Sequence, residues 1–367
     1  MKDNYISTPE LNPMFGDSDM ILDDLVRHFL ILGETGSGKT YSAVQPLLKG
    51  VLKGIKNTNG KGYKTSLLII DPKQNELTRY AQFQMTKSDQ ETRLTYIDKK
   101  KRINFFEGLD SMSIRDKADR ICEFSDSFSA STANSHNQEF AEFAMAFFLD
   151  ILECDEVVRS KSENEDVANL WELLELEVPG INIHSDHSYM QNMKSLLVYI
   201  SKDVKKVCMC LKKIFEEYKL PVPSTILQQS GYGSRLIEQF FYQKQYFDLL
   251  FKDYCSPDYE AFIFLDPFDC EIKKEQQAIS IRDMILQNKI LVFAPDETVN
   301  KHVSNCVGML IKSLYFKYSL ETYKERLQTN TFVFYVCDEF QRFVTCDDET
   351  GEQSFLDRCR AYNIACI

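Results

Sequence analysis

Residues 33 to 40 read Gly-Glu-Thr-Gly-Ser-Gly-Lys-Thr, and this stretch constrains the fold more than any other. Glycine in the middle of a helix or strand costs on the order of 1 kcal/mol relative to alanine, so three of them this close mark a turn. Before the turn, His28 to Leu32 is a short apolar run with the character of a buried strand. After it, Tyr41, Val44, Leu47 and Leu48 recur at helical spacing. A strand, a glycine-rich loop and a helix in that order form a cradle of backbone N–H groups at the positive end of a helix, which is a site for phosphate.

The pattern GxxxxGK[ST] assigns the parts. Gly33, Glu34, Thr35, Gly36, Ser37, Gly38, Lys39, Thr40 and Tyr41 form the expected nucleotide-binding set. The Lys39 ammonium is placed for the β- and γ-phosphates, and the Thr40 hydroxyl for Mg²⁺. ATP and Mg²⁺ are therefore the expected cofactors. A chance match in a chain of this length is on the order of one in a hundred, before the flanking pattern is counted.

Such a site needs an acid at the end of a second parallel strand. Thr331 to Cys337 is a continuous apolar run followed by Asp338 and Glu339. Asp338 is the expected Mg²⁺ ligand. Glu339 is the expected catalytic carboxylate, orienting and polarising the attacking water, with Lys39 as the charge-stabilising partner. A third run, Ser66 to Ile70, ends in Asp71-Pro72-Lys73. It reads as a strand whose aspartate lies at the crevice where doubly wound sheets bind ligands, or else as a strand-ending turn.

The remainder divides by periodicity. Residues 1–110 carry the first strands and the phosphate loop. Residues 111–258 turn helical, with an apolar stripe from Phe140 to Leu152, a helical stretch from Tyr189 to Glu217 and an aromatic-rich segment from Leu236 to Phe251. Residues 259–367 return to strands at Phe262 to Leu265, Ile290 to Ala294, Phe332 to Cys337 and Asn363 to Ile367, with a helix from Val303 to Tyr318. The expected fold is α/β: a P-loop NTPase with a mainly parallel sheet, interrupted by a mostly α-helical domain.

Composition narrows the partners. A formal net charge of -12 rules out a uniformly basic surface. The densest basic run is Lys99 to Arg102, which reads as solvated surface. No apolar run reaches the roughly 18 residues of a membrane span, and the first residues lack a signal-peptide pattern, so the expectation is a cytoplasmic chain, peripheral to a membrane only through partners. The eleven cysteines form no CxxC pair, which points to reduced thiols. His184-Ser-Asp-His187 reads as a polar loop rather than a metal pair, and Trp171 as packing.

Together these stretches resemble the FtsK–HerA superfamily of DNA-pumping ATPases, and within it the TraG/TraD-type coupling proteins of type IV secretion. HFLILGETGSGKT (28–40) resembles the family's histidine, strand and loop. LIIDPKQNEL (68–77) resembles its DPKGEL strand end, with a turn one residue longer. Ile290 to Phe293 and VCDEFQRF (336–343) resemble the returning strand and the Walker B strand. The resemblance implies a hexameric homo-oligomeric ring that handles DNA, with an arginine from the neighbouring subunit completing each site. Arg342, Arg358 and Arg360 are the candidates. It implies a conjugation or secretion-complex setting. A cytosolic HerA-like subunit of an anti-phage or DNA-end-processing complex, or a nucleotide-binding scaffold without hydrolysis, are the alternatives. Arg358 to Ile367 resembles the approach to the family's γ-phosphate-sensing glutamine, which the 367 residues do not include.

Overall fold

The computed structural model describes residues 5–6, 20–21, 28–32, 38–53, 55–56, 62–72, 76–98, 100–105, 138–161, 169–178, 180–184, 187, 189–200, 204–219, 221–222, 262–264, 277–295, 301–344 and 352–367. The chain forms two compact units. One comprises Met1–Ile103 with Lys274–Ile367, the other Asn104–Lys273.

In the first unit the elements run α1 (Gln45–Lys53), β1 (Gly62–Ile70), α2 (Glu76–Lys87), β2 (Leu94–Tyr96) and β3 (Lys101–Asn104). After the second unit come β4 (Gln277–Ile279), a short helix Ile281–Leu286, β5 (Ile290–Phe293), α3 (Lys301–Glu321), α4 (Tyr323–Thr329), β6 (Thr331–Cys337), α5 (Glu352–Cys359) and β7 (Ile364–Cys366). The main sheet has the order β7-β6-β1-β5-β2. Each of those neighbours is parallel, with Cys337 level with Ile70, and Ile70 with Phe293. A two-residue strand, Ile55–Lys56, within the stretch expected to be a loop, pairs antiparallel with Gly62 and Tyr63 at the start of β1.

Parallel strands have helices on both faces, so the central ones are apolar throughout. Leu67 to Ile70 are all fully buried, and so are Ile290 to Phe293. Alternate residues serve opposite faces. Leu67, Ile69, Ile290, Val292, Phe332, Phe334 and Val336 share one cluster with Leu47, Leu48 and Val51 of α1 and Leu77, Ala81 and Met85 of α2. On β6, Tyr335 meets Phe316 of α3 edge-on, with ring centroids 5.1 Å apart. The Tyr315 hydroxyl of α3 donates to the Phe334 carbonyl at 3.2 Å. This is the doubly wound α/β architecture the sequence predicts.

Arg326 locks the end of this layer. It is 1% exposed, and its guanidinium donates to the carbonyls of Ser319 (2.6 Å), Tyr362 (2.8 Å) and Thr331 (3.2 Å). It thus ties α3, the approach to β7 and the first residue of β6 together. Asn330, at φ 53° in the left-handed region, ends α4 and turns the chain directly into β6.

The described part of the second unit has the helices Gln138–Lys161, Leu170–Glu177, Tyr189–Ile200 and Val204–Glu217, and a short strand, Ile263–Phe264, where the sequence expects one. The helical stretch expected over 189–217 is present as Tyr189–Ile200 and Val204–Glu217. Buried Asp155 accepts the Leu170 amide at 2.8 Å and pairs with Arg159 one turn away. Asn169 caps the second helix by accepting the Glu172 amide at 3.0 Å. Trp171 is buried packing, as expected. Asn192 accepts from the His184 amide and donates to its carbonyl, so the segment opening at His184 is a braced turn. The aromatic-rich 236–251 segment lies outside the described residues.

Candidate phosphate-binding site

Gly33, Glu34, Thr35, Gly36 and Ser37 lie outside the described residues, so the loop is visible from Gly38 onward. Gly38 has φ +80°, a conformation that strains any L side chain, with nothing within 4 Å of where a Cβ would stand. Its carbonyl accepts both the Ser42 amide (2.8 Å) and the Ser42 hydroxyl (2.7 Å). The first turn, Thr40–Val44, is a wide π-type turn that passes into α1. Such turns concentrate at functional sites. It sets Lys39 and Thr40, both half-buried, at the helix start, while Tyr41 is exposed. Val44, Leu47 and Leu48 turn into the core, which fixes the polar residues on the opposite side.

The run before the loop departs from the sequence expectation. Residues 28–32 do not form a strand ladder. They are joined to β7 by one backbone bond, Phe29 N–H to the Cys366 carbonyl at 2.9 Å. His28, at the start of the run, has φ 71°, in the left-handed region. Phe29 and Ile31 pack on the core cluster, whereas Leu30 and Leu32 are 73% and 80% exposed. Alternation therefore survives without the ladder.

Walker B geometry is more complete. Asp338 follows β6 immediately, and its amide donates to the Ile70 carbonyl at 3.0 Å. Its Oδ1 accepts the Glu339 amide at 3.0 Å. Glu339 sits at φ 53° in the left-handed region, which turns the chain sharply off the strand. Its Oε2 accepts the Gln341 side-chain amide at 2.6 Å. Both carboxylates are half-buried at the C-terminal rim of the sheet, where open α/β sheets bind ligands. Carboxylate and hydroxyl oxygens are the donor set Mg²⁺ favours, so Asp338 and Thr40 suit that ion chemically.

Asp71 has a different task. It is fully buried beside Asp338 on the rim, and its Oδ2 accepts the Thr78 amide and the Thr78 hydroxyl, each at 2.9 Å. It satisfies an otherwise unpaired N-terminal amide of α2 and complements that helix's positive end. Both of the readings the sequence leaves open place it at this strand end, where the structure has it. Lys73 lies outside the described residues.

The arginine candidates separate. The Arg342 guanidinium donates from Nε (3.1 Å) and Nη2 (2.8 Å) to Asn305 Oδ1 on α3, which braces the turn after β6. Arg358 is exposed on α5, and the Arg360 side chain is not described. Lys100 is exposed and Lys101 and Arg102 half-buried, on a turn held by Asp98.

One buried cation escapes sequence reasoning. Lys312 on α3 is 1% exposed, and its Nζ donates to the Phe343 carbonyl. Burial pushes its pKa down to about 7, opposed by Cys337 and Cys366 nearby. Its spacing within an otherwise apolar helical stripe (Gly308, Ile311, Tyr315) was the available signal. Gly308, one turn earlier, lets the Phe343 ring approach: a Cβ there would meet Phe343 Cε1 at 2.4 Å. Together Lys312, Gly308 and Asn305 seat the segment that carries Glu339.

Comparison with known proteins agrees with this geometry. The sequence profile of the helicase HerA central domain matches residues 20–241. That span holds the phosphate loop, β1 and Asp71, while β5, β6 and β7 follow it. No curated protein matches the chain significantly. Among the described residues no helix is long and apolar enough to cross a membrane.

Proposed function

We propose, on the premise that the chain belongs to the helicase HerA central-domain family, that it is a motor that couples ATP hydrolysis to movement along DNA. The coarser statement is direct: it is a P-loop ATPase of the FtsK–HerA type. The observation that carries hydrolysis is the pair Asp338-Glu339 at the end of an interior strand of the parallel sheet, and movement along DNA rests on the family match. A nucleotide-dependent switch can do without the second carboxylate, whereas hydrolysis uses it.

In this reading the backbone around Gly38 and the Lys39 ammonium hold the β- and γ-phosphates, and Thr40 and Asp338 hold the cation. Bound Mg²⁺ supplies neutralisation of charge on the transferring phosphoryl group. Glu339, fixed by its own backbone turn and by Gln341, orients the attacking water. Catalysis is then positioning plus electrostatic stabilisation, the pattern of phosphoryl transfer.

The family match favours a HerA-type context, in which a ring of identical subunits threads DNA for a partner. The coupling-protein role in conjugation is supported by the DPK strand end and by a helical unit set between β3 and β4. A ring also reconciles an acidic chain with DNA, because only its pore need be basic.

The test is phosphate release by the purified full-length protein, with and without DNA. ATP turnover stimulated by DNA and lost in Lys39→Ala supports the motor. Nucleotide bound with no phosphate released would leave a scaffold, and no nucleotide binding at all would defeat the reading. Co-purified nuclease or relaxase partners separate the two settings.

A further inference from the structure

We propose that His28, Cys359 and Cys366 form a binding site for a borderline-soft d¹⁰ cation, Zn²⁺ by preference, that clasps the approach to the phosphate loop onto β7. One ring nitrogen of His28 and the two Sγ atoms lie within 4.8 Å of one another. They come from three separate places: the start of the run into the loop, the last residue of α5, and the end of β7. Nothing in the nucleotide site uses them, and this inference stands or falls independently of the ATPase reading.

The donor set selects the metal. Two sulfurs and one imidazole match Zn²⁺, whereas Mg²⁺ takes oxygen ligands. With Zn–S near 2.3 Å and Zn–N near 2.0 Å, tetrahedral donors stand about 3.6–3.8 Å apart, so no pair here need close by more than about 1 Å. The fourth position is left to solvent.

The histidine is already oriented as a ligand should be. Its Nε2 lies 3.2 Å from the Leu356 carbonyl and its Nδ1 accepts the Cys366 amide at 3.2 Å. The tautomer is therefore Nε2–H, with the Nδ1 lone pair directed at Cys366. A cation at Nδ1 displaces that one amide bond and keeps the Nε2–H donation to a backbone carbonyl, which is the arrangement that fixes most metal-bound histidines. The left-handed backbone of His28, at φ 71°, is what brings the ring back over β7. A bulky residue pays for such a φ, and such outliers gather at functional sites.

Burial and protonation are consistent. In the cluster His28 is half-buried and the two thiols are buried. The ligands bind as thiolates and a neutral imidazole. Binding therefore releases protons as thiols become thiolates, and affinity rises with pH.

The experiment uses reduced, full-length protein treated with chelator and titrated anaerobically with Co²⁺. The expected result is one equivalent per chain, with a thiolate-to-cobalt charge-transfer band in the near ultraviolet that Zn²⁺ abolishes by displacement. Cys359→Ser and Cys366→Ser should each weaken binding by roughly 100-fold or more. Cys210→Ser, in the other compact unit, should leave it unchanged. Should the serine variants not fold, the wild type still decides: Zn²⁺ must protect Cys359 and Cys366, and not Cys210, from alkylation in peptide mapping. Absence of the band, its persistence in either serine variant, unprotected thiols, or a Cys359–Cys366 disulfide in freshly isolated protein would each overturn the assignment.

Discussion

Buried Lys312 makes a measurable demand on the pH dependence of stability. Its folded-state pKa is lowered from 10.5 to about 7 by desolvation, with Cys337 and Cys366 facing it and the Phe343 carbonyl accepting from Nζ. A folded pKa below the unfolded one means the unfolded chain binds the extra proton between those two values. Stability therefore rises with pH across that window and is lowest, in this contribution, below pH 7. Integrating a single site, the gain from pH 7 to 8.5 is on the order of 1–2 kcal/mol. The buried cysteines act in the opposite sense: thiols raised by burial, such as Cys208 at about 12 and Cys337 at about 12, erode stability once unfolded thiols ionise. Wild type must therefore be compared with Lys312→Met, which keeps the chain length and removes the proton. Urea unfolding in chelator and reductant, at half-unit steps from pH 7 to 8.5, should show the wild type catching up on the variant by on the order of 1–2 kcal/mol. A difference between the two proteins that stays constant within about 0.3 kcal/mol would show that Lys312 does not titrate as its burial requires.

Other outcomes follow from single residues. Glu339→Gln should retain nucleotide affinity within a few-fold while lowering turnover by roughly 100-fold or more, as measured by equilibrium nucleotide binding beside phosphate release. Equal loss of both would place Glu339 in binding rather than in water activation. Arg326→Met strips three carbonyls of their donor and should cost about 3–5 kcal/mol by urea unfolding. A loss under 1 kcal/mol would mean water replaces the guanidinium. Gly308→Ala drives a methyl into Phe343 and should destabilise by about 1–3 kcal/mol, with reduced turnover because the displaced ring adjoins the Walker B turn. Unchanged stability and rate would show that ring to be free to move.

The sheet was legible because its central strands are buried on both faces, and such strands leave unbroken apolar runs: 66–70, 290–293 and 331–337 all stand where the runs are. Their parallel direction followed from the helical patterns between them. The edge was harder. His28 to Leu32 has the composition of a strand and bonds to β7 through the Phe29 amide, but no local rule places a histidine at φ 71° at its start. Asp71 illustrates the same limit on chemistry. An acid at a strand end is equally suited to a ligand and to a helix, and sequence alone does not show that Asp71 caps α2 through Thr78. Asp338 has the same local sequence character, but its amide bonds to Ile70 of β1 and its carboxylate accepts the Glu339 amide. The His28–Cys359–Cys366 cluster joins residues more than three hundred positions apart, so no spacing rule could reveal it. What connects the legible part to the illegible one is β7: it flanks the catalytic strand on one side and holds the path into the phosphate loop on the other. A clasp there would bear on nucleotide binding without touching the nucleotide.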